Sequence, residues 1–422
     1  MRILYLVHQF FPEFGSGTER VTLNLARAMQ RAGHHVQVLG CAVTPGHLPP
    51  ARACAIDGAE QGLVEGVAVT MLAHARLPAR ADTAFDVDEA LAAQVEAWLR
   101  AERFDLVHVM HGMRMGSAIA AATRAGLPLL LTLTDFFPAC VRINLIDLEG
   151  QACAGPEGGT ACARKCLGPA WSTPALQARY QHARSILEQA DARVVPSAFV
   201  ERRFDAAFPG LDWTRIAHGV DLVALLRGTA AAPRAPDTPR HIGFIGSLIP
   251  PKGVHLLLQA LARQPALPVR LSIAGGFHGD AQYEASVRAL AAVDPRVKLL
   301  GRCSAEQVAT LLKQLDLLCL PSLVPETYSL VLHEAAALGV PAMVSARGAP
   351  GDAVAAHGGG VVVAQDTPAA WAQALQAWAG DAAAALAMAR RVPLPPRVEE
   401  EAFFYEALYK RSLHRRDDAG AG

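Results

Sequence analysis

Aromatic residues are few, 6% of 422, and no uninterrupted apolar run approaches the roughly 18 residues that a membrane-spanning helix needs. The opening Met1 to Val7 is apolar, but His8 and Gln9 cut it far below the core of a secretory leader, so it reads as a first strand. A cytoplasmic location is the expectation, with a peripheral contact at the inner face of the membrane left open. Neither sign of charge is in excess: 39 Lys plus Arg balance 39 Asp plus Glu, so no global field draws the chain to nucleic acid. Any anionic ligand has to be caught locally. Eight cysteines are too sparse for a disulfide scaffold. Neither half carries a clean Gly-x-Gly-x-x-Gly between strand and helix, which disfavours a NAD-dependent dehydrogenase, and no convincing Asp-x-Asp offers itself to a donor-bound Mg²⁺ or Mn²⁺.

What is there is an Ala-rich chain with 52% hydrophobic residues, long enough for two large domains and better suited to helices packed on sheets than to an all-β barrel. The fold class expected is α/β. Ile3 to Val7, a loop with Gly15 and Gly17, a helical pattern over Val21 to Ala32 and a strand over Val36 to Leu39 form a βαβ opening. Further alternation follows, with strands at Leu106 to Val109 and Leu129 to Leu133, which implies a parallel, doubly wound sheet. Residues 136–170 break the rhythm and read as an inserted loop. The Pro-rich stretch 229–239 reads as a linker, after which His241 to Ile245 restarts the pattern. The expected domains are therefore 1–228 and 240–395, two Rossmann-like halves facing across a cleft. A closing helix in 396–422, carrying Phe403, Phe404, Leu408 and Tyr409, packs back on the first domain before a flexible tail.

The most informative stretch runs from Pro321 through Glu326, Ser329 and Glu334 to Gly339. It follows a strand, sets Glu326 in a loop, and opens a helix near Ser329 whose unpaired N–H groups and dipole favour a diphosphate. Glu326 and Glu334 then stand on either side of the phosphates, where carboxylates accept from sugar and ribose hydroxyls. By pattern alone, a surface helix with two solvated glutamates is the competing reading.

Glu326, seven intervening residues, Glu334 and then Ala-Ala-Ala-Leu-Gly-Val-Pro resemble the signature of GT-B glycosyltransferases of the retaining family 4 type. The likeness continues through Gly243 to Gly253, Leu271 to Gly275, Val297 to Gly301 and Asp316 to Ser322, in the family's order. The resemblance implies a two-domain, metal-independent enzyme that transfers a hexosyl group from a nucleotide diphosphate-sugar to a glycan, lipid-linked or other hydroxyl acceptor, in surface polysaccharide or glycoconjugate synthesis. It implies that Glu326 bonds the donor sugar, Glu334 the ribose and Lys252 the diphosphate. Backbone N–H groups of Tyr328, Ser329, Leu330 and Val331 would hold phosphate, and Arg302 would stand near the base. Where the family often has Arg, this chain has Ser247.

The first half resembles the family less closely. Gly15-Ser-Gly17-Thr-Glu19 matches a loop that approaches donor phosphate and acceptor, although a plain helix entry reads equally well. Thr132-Leu-Thr134-Asp135 replaces a family Thr-Leu-His-Asp, so the role of that His has no carrier here. Asp135 faces the site or caps a turn; His108 reads as a packed strand residue and His111 as a candidate base. Cys140, Cys153, Cys162 and Cys166, separated by 12, 8 and 3 residues, allow a structural zinc or iron site, a disulfide or free thiols. A Cys-bearing insertion with Arg142 after the first Cys is similar to one in bacterial relatives, which places Arg142 on the acceptor side. Two other functions compete: a nucleotide-sugar epimerase or hydrolase of the same fold, and a silent binding protein, the latter motivated by Ser247 and Thr134.

Overall fold

The computed structural model describes residues 1–44, 46, 48, 54–78, 85–166, 171–227 and 239–420. The expected linker falls outside these except for Pro239, as do residues 167–170 of the insertion and 421–422 of the tail. The chain divides into two compact units, Met1–Gly219 with Val398–Gly422, and Val220–Arg397. The division comes before the helix Leu222–Leu226, which the expected boundary at 228 assigns to the first domain.

Unit 1 runs β1 (Arg2–Leu6), α1 (Gly17–Arg31), β2 (His35–Ala42), β3 (Glu60–Val64), β4 (Val67–Ala73), α2 (Glu89–Glu102), β5 (Leu106–Val109), α3 (Gly116–Arg124), β6 (Leu129–Thr132), α4 (Thr160–Lys165), α5 (Thr173–Gln189), β7 (Ala192–Val195), α6 (Ala198–Ala207) and β8 (Thr214–Arg215). Its sheet order is β3-β4-β2-β1-β5-β6-β7-β8, parallel throughout except for the antiparallel β3–β4 pair. The β3–β4 hairpin has no counterpart in the sequence reading. Its turn is Glu65-Gly66, both at positive φ, the geometry that matches the twist of paired strands. Strands β5 and β6 are buried along their whole length, which explains why they read as apolar runs rather than alternations. Asp88 and Ser197 cap α2 and α6 by accepting from Leu91 N and Val200 N. The insertion is less irregular than expected: it holds α4 and a bridge between Ile146 and Ala152, too short to leave a period in the sequence.

Unit 2 runs α7 (Leu222–Leu226), β9 (Arg240–Ile245), α8 (Val254–Ala262), β10 (Val269–Ala274), α9 (Ala281–Ala292), β11 (Val297–Gly301), α10 (Ala305–Gln314), β12 (Leu317–Leu320), α11 (Leu330–Ala337), β13 (Ala342–Ser345), α12 (Gly348–His357), β14 (Gly360–Val363), α13 (Pro368–Gly380) and α14 (Ala382–Ala389). Its six strands lie in the order β11-β10-β9-β12-β13-β14, all parallel. Among the described residues no helix is long and apolar enough to cross a membrane.

The last helix, α15 (Val398–Gly420), belongs to unit 1. Tyr405, Leu408 and Tyr409 are buried, whereas Phe403 and Phe404, expected to cover a surface, are themselves exposed. Polar contacts fix the buried face. Tyr409 Oη lies 2.6 Å from His108 Nδ1, His108 Nε2 lies 2.7 Å from Thr132 Oγ1, and Thr132 Oγ1 lies 2.7 Å from Tyr405 Oη. Burial holds the His108 imidazole down at about 3, with a further push from His218, so this network is a neutral one. Nearby, Glu401 accepts from His218 Nδ1 at 2.9 Å and from Gly219 N at 2.8 Å. The Tyr409→Phe variant strands a buried imidazole nitrogen, and a loss of about 1–3 kcal/mol is expected in chemical denaturation. An unchanged midpoint would show that the network does not hold α15.

Candidate functional site

In unit 2 the sheet reverses its order at β9, which has β10 on one side and β12 on the other. Loops leaving the carboxyl ends of these strands diverge there and leave room for a ligand. The loop after β9 carries Ser247 and Lys252, and the loop after β12 carries Ser322, Glu326 and Ser329. The structure joins the two loops directly: Lys252 Nζ stands 2.9 Å from Glu326 Oε1.

Both loops are held by close backbone approaches. Gly253, at φ +70°, lies so near the β12 loop that a Cβ would come within 1.9 Å of Pro321 O. Leu323 N donates to Pro251 O at 2.8 Å. On the other side Glu326 pairs with Gly348 as a parallel bridge, and Ala349 N donates to Glu326 O at 2.9 Å. A Cβ on Gly348 would lie 2.4 Å from Glu326 N, so only glycine admits this approach. Ser345 Oγ donates to Ser322 O at 2.7 Å, and Ser322 Oγ in turn donates to Glu326 Oε1.

The Glu326 side chain is 12% exposed. Burial alone would raise its pKa, but Lys252, Ser322 and Ser329 outweigh it and hold the carboxyl below its ordinary range. It is therefore an anion at neutral pH. The stability this carries is present above the unfolded glutamate pKa and is lost as pH falls through the lower folded value.

Ser329 precedes α11 with φ +69°, a left-handed backbone that a non-glycine residue adopts at a cost. The turn is locked from both sides. His333 Nδ1 donates to Ser329 O at 2.9 Å, and the ring of buried Tyr328 stacks on His333 with centroids 3.9 Å apart. The first N–H groups of α11, from Leu330 and Val331, have no partner within the helix, and Ser329, which precedes them, bonds Glu326. Glu334 is half-buried inside α11, and Arg302 is exposed just beyond β11, against Gly276. Ser247 is half-buried in a tight turn, its carbonyl accepting from Ile249 N at 3.1 Å. A cation, a carboxylate and a helix start thus lie together at the carboxyl ends of β9 and β12. This set can bind a diphosphate and a polyol together. Ser322, Ser345 and Gly348 are the supports that sequence reasoning missed. Ser322 lay inside the quoted motif, but nothing in the sequence marks it as a ligand of Glu326.

In unit 1, Gly17 begins α1, and Glu19, expected on the acceptor side, is wholly buried. Its Oε2 accepts from Ser16 N at 2.8 Å and caps the helix, while its Oε1 is buried with no hydrogen-bond partner among the described residues. Asp135 caps a turn, its Oδ1 accepting from Phe137 N at 2.8 Å, and its Oδ2 lies 2.6 Å from His111 Nε2. Thr134 bonds Met110 O and Thr18 Oγ1, each at 3.0 Å. Arg142 Nε donates to Ile146 O at 3.1 Å, inside the insertion. The four clustered cysteines are free thiols. Burial pushes Cys162 up to about 12 and Cys166 to about 11, with the other thiols of the cluster adding to it. Among the described residues no group of three or more His, Cys, Asp or Glu is arranged to hold a metal ion.

The family model described as Glycosyltransferase Family 4 matches residues 15–223, and that described as Glycosyl transferases group 1 matches residues 229–392. The chain is 31% identical over 232 residues to the D-inositol 3-phosphate glycosyltransferase of Corynebacterium urealyticum, covering 50% of this chain and 53% of that protein. It is 33% identical over 191 residues to the enzyme of the same name from Mycolicibacterium smegmatis, covering 43% of each. The chain thus spans about half the length of the curated relatives it matches. Among solved structures, sucrose-phosphate synthase from Thermosynechococcus elongatus superimposes with a TM-score of 0.67 at 18% identity, covering 99% of both chains. HepE from Anabaena, in complex with UDP-glucose, gives 0.63 at 17% identity over 100% of this chain and 99% of its own.

Proposed function

The chain belongs to the GT-B glycosyltransferases, and from that premise we propose that it moves a sugar, with retention at the anomeric carbon, from a nucleotide diphosphate-sugar held by unit 2 to a hydroxyl acceptor. The observation that carries the reading is the Lys252–Glu326 pair beside the open start of α11. Breaking the anomeric C–O bond leaves negative charge on the diphosphate and positive charge on the sugar. Lys252 and the helix start stabilise the first, and the ionised Glu326 bonds the hydroxyls of the second. Glu334 bonds the ribose, and Arg302 stands beside the base. No metal is assigned to the leaving group. The acceptor is a glycan, a lipid-linked sugar or another polyol, as in surface polysaccharide or glycoconjugate synthesis, and the protein works in the cytoplasm, at or near the membrane's inner face.

HepE is solved with UDP and with UDP-glucose, so uridine and other nucleotide-sugars form the first panel to test by thermal shift. One donor should raise the melting temperature, and Glu326→Ala should abolish the rise. A shift untouched by that substitution removes Glu326 from the site. Donor binding without transfer to any hydroxyl acceptor would favour a silent binding protein; release of free sugar would favour a hydrolase. A zinc or iron ion at Cys140, Cys153, Cys162 and Cys166 is a separate structural proposal. Elemental analysis of the purified protein should then find one metal per chain, lost in Cys162→Ser; a metal-free preparation ends it.

A further inference from the structure

Two phenylalanine rings stand side by side in water. Phe403 and Phe404, 66% and 56% exposed on α15, meet edge to face with centroids 5.8 Å apart, and no tyrosine or tryptophan among the described residues is exposed. Such a pair marks a surface that a partner covers. The helical repeat carries the same outer face onward through Ala407, Lys410, Arg411, His414 and Arg415, all exposed, while Tyr405, Leu408, Tyr409 and Ser412 turn inward. We propose that this face of α15 is a docking surface for an anionic lipid bilayer, with Phe403 and Phe404 entering the acyl boundary and Arg411 and Arg415 pairing with headgroup phosphates. The choice of the membrane's inner face rests on the location proposed above; the surface rests on α15 alone.

Charge selects the partner. The chain as a whole is neutral, but Phe403 to Arg416 carries Lys410, Arg411, Arg415 and Arg416 against Glu406 alone, ahead of Asp417 and Asp418. Glu406 is taken by Lys410 at 2.7 Å, and Arg416 is taken by Asp191 at 2.8 Å. Glu399, a turn before the rings, is held by Arg31 at 2.8 Å. Among the described residues neither Arg411 nor Arg415 forms an ion pair, so both keep their charge for an anion from outside. The rings and these guanidinium groups share one face over about 18 Å of helix. A sheet of phosphates over acyl carbon meets both at once when a helix lies in its plane. Arginine suits that level, because its stem packs against apolar carbon while its head stays with the phosphates.

The test is co-sedimentation of the full chain with vesicles of phosphatidylcholine alone and of phosphatidylcholine mixed with phosphatidylglycerol, at low and high salt. Two double variants go beside it, Phe403→Ser with Phe404→Ser and Arg411→Gln with Arg415→Gln. All four positions are exposed, so both variants should keep the wild-type melting temperature. The wild type should bind the mixed vesicles and leave the neutral ones, with weaker binding at high salt. Each double variant should weaken that binding about tenfold or more, the arginine pair through lost headgroup attraction and the phenylalanine pair through lost apolar burial. Binding that survives either variant undiminished overturns the proposal: survival of the phenylalanine change means adsorption by charge alone. Equal binding to both kinds of vesicle, or none to either, overturns it as well. In the last case, self-association erased by the phenylalanine variant assigns the face to a second copy of the chain. Glu326→Ala should bind vesicles as the wild type does, so a failed glycosyl-transfer reading leaves the vesicle result standing, and a failed vesicle result leaves the donor response standing.

Discussion

Turnover in Lys252→Ala should fall about 100- to 1000-fold, the loss that follows removal of a preorganised charge facing a developing anion. Ser247, in the same loop, carries no charge, so on the proposed mechanism the ammonium bears more of the load of the departing diphosphate. The variant also frees Glu326 from its 2.9 Å partner, which raises the carboxyl's pKa toward what burial dictates. Two effects should therefore appear together. The maximal rate drops, and the acid limb of the pH–rate profile moves to higher pH. Near-full turnover in Lys252→Ala, measured as nucleotide released in the presence of acceptor, would remove the ammonium from the mechanism.

The second large effect concerns a residue with no side chain. In Gly253→Ala a methyl group would be placed 1.9 Å from Pro321 O while φ stays at +70°. Neither the strand end nor the 250–252 turn can give way without displacing the other, because Leu323 N is bonded to Pro251 O. A destabilisation on the order of 4 kcal/mol or more is expected, at the upper end of single substitutions. Gly339→Ala is the control. It has nearly the same φ, +71°, but opens on empty space, so the left-handed backbone alone should cost about 1–2 kcal/mol. If both variants unfold at the same denaturant concentration, the close approach of the two loops is not what matters.

The candidate site of unit 2 was largely legible because its parts are local. A strand, a loop acid, a helix start and a Gly-bounded helix fall within Leu317 to Gly339, and a period-driven reading finds them in order. The contact between Lys252 and Glu326 was not legible, since residues far apart in sequence meet only through the pairing of β9 with β12. The same holds in unit 1. His111 and Asp135 were each picked out as strand-end residues, but their mutual bond depends on β5 lying beside β6. At Glu19 the sequence could not separate a capping box from a ligand loop, because both fit the Ser-x-x-Glu spacing. Phe403 and Phe404 misled because consecutive large apolar residues on a mostly polar helix do not say which face is covered, and here the tyrosines and Leu408 took the covered one. The β3–β4 hairpin escaped because Glu65 is an unusual residue for its turn.

The helix that carries Tyr405 and Tyr409 has a consequence for biosynthesis. Residues Val220–Arg397 are contiguous and can begin to assemble as soon as they leave the ribosome, whereas the first unit is interrupted by all of them. Until Val398 and the residues after it emerge, His108 and Thr132 lack the phenols that satisfy them. The nascent chain thus finishes its second unit before its first, and a nonsense codon anywhere ahead of Tyr405 would release a product whose earlier-made half cannot close.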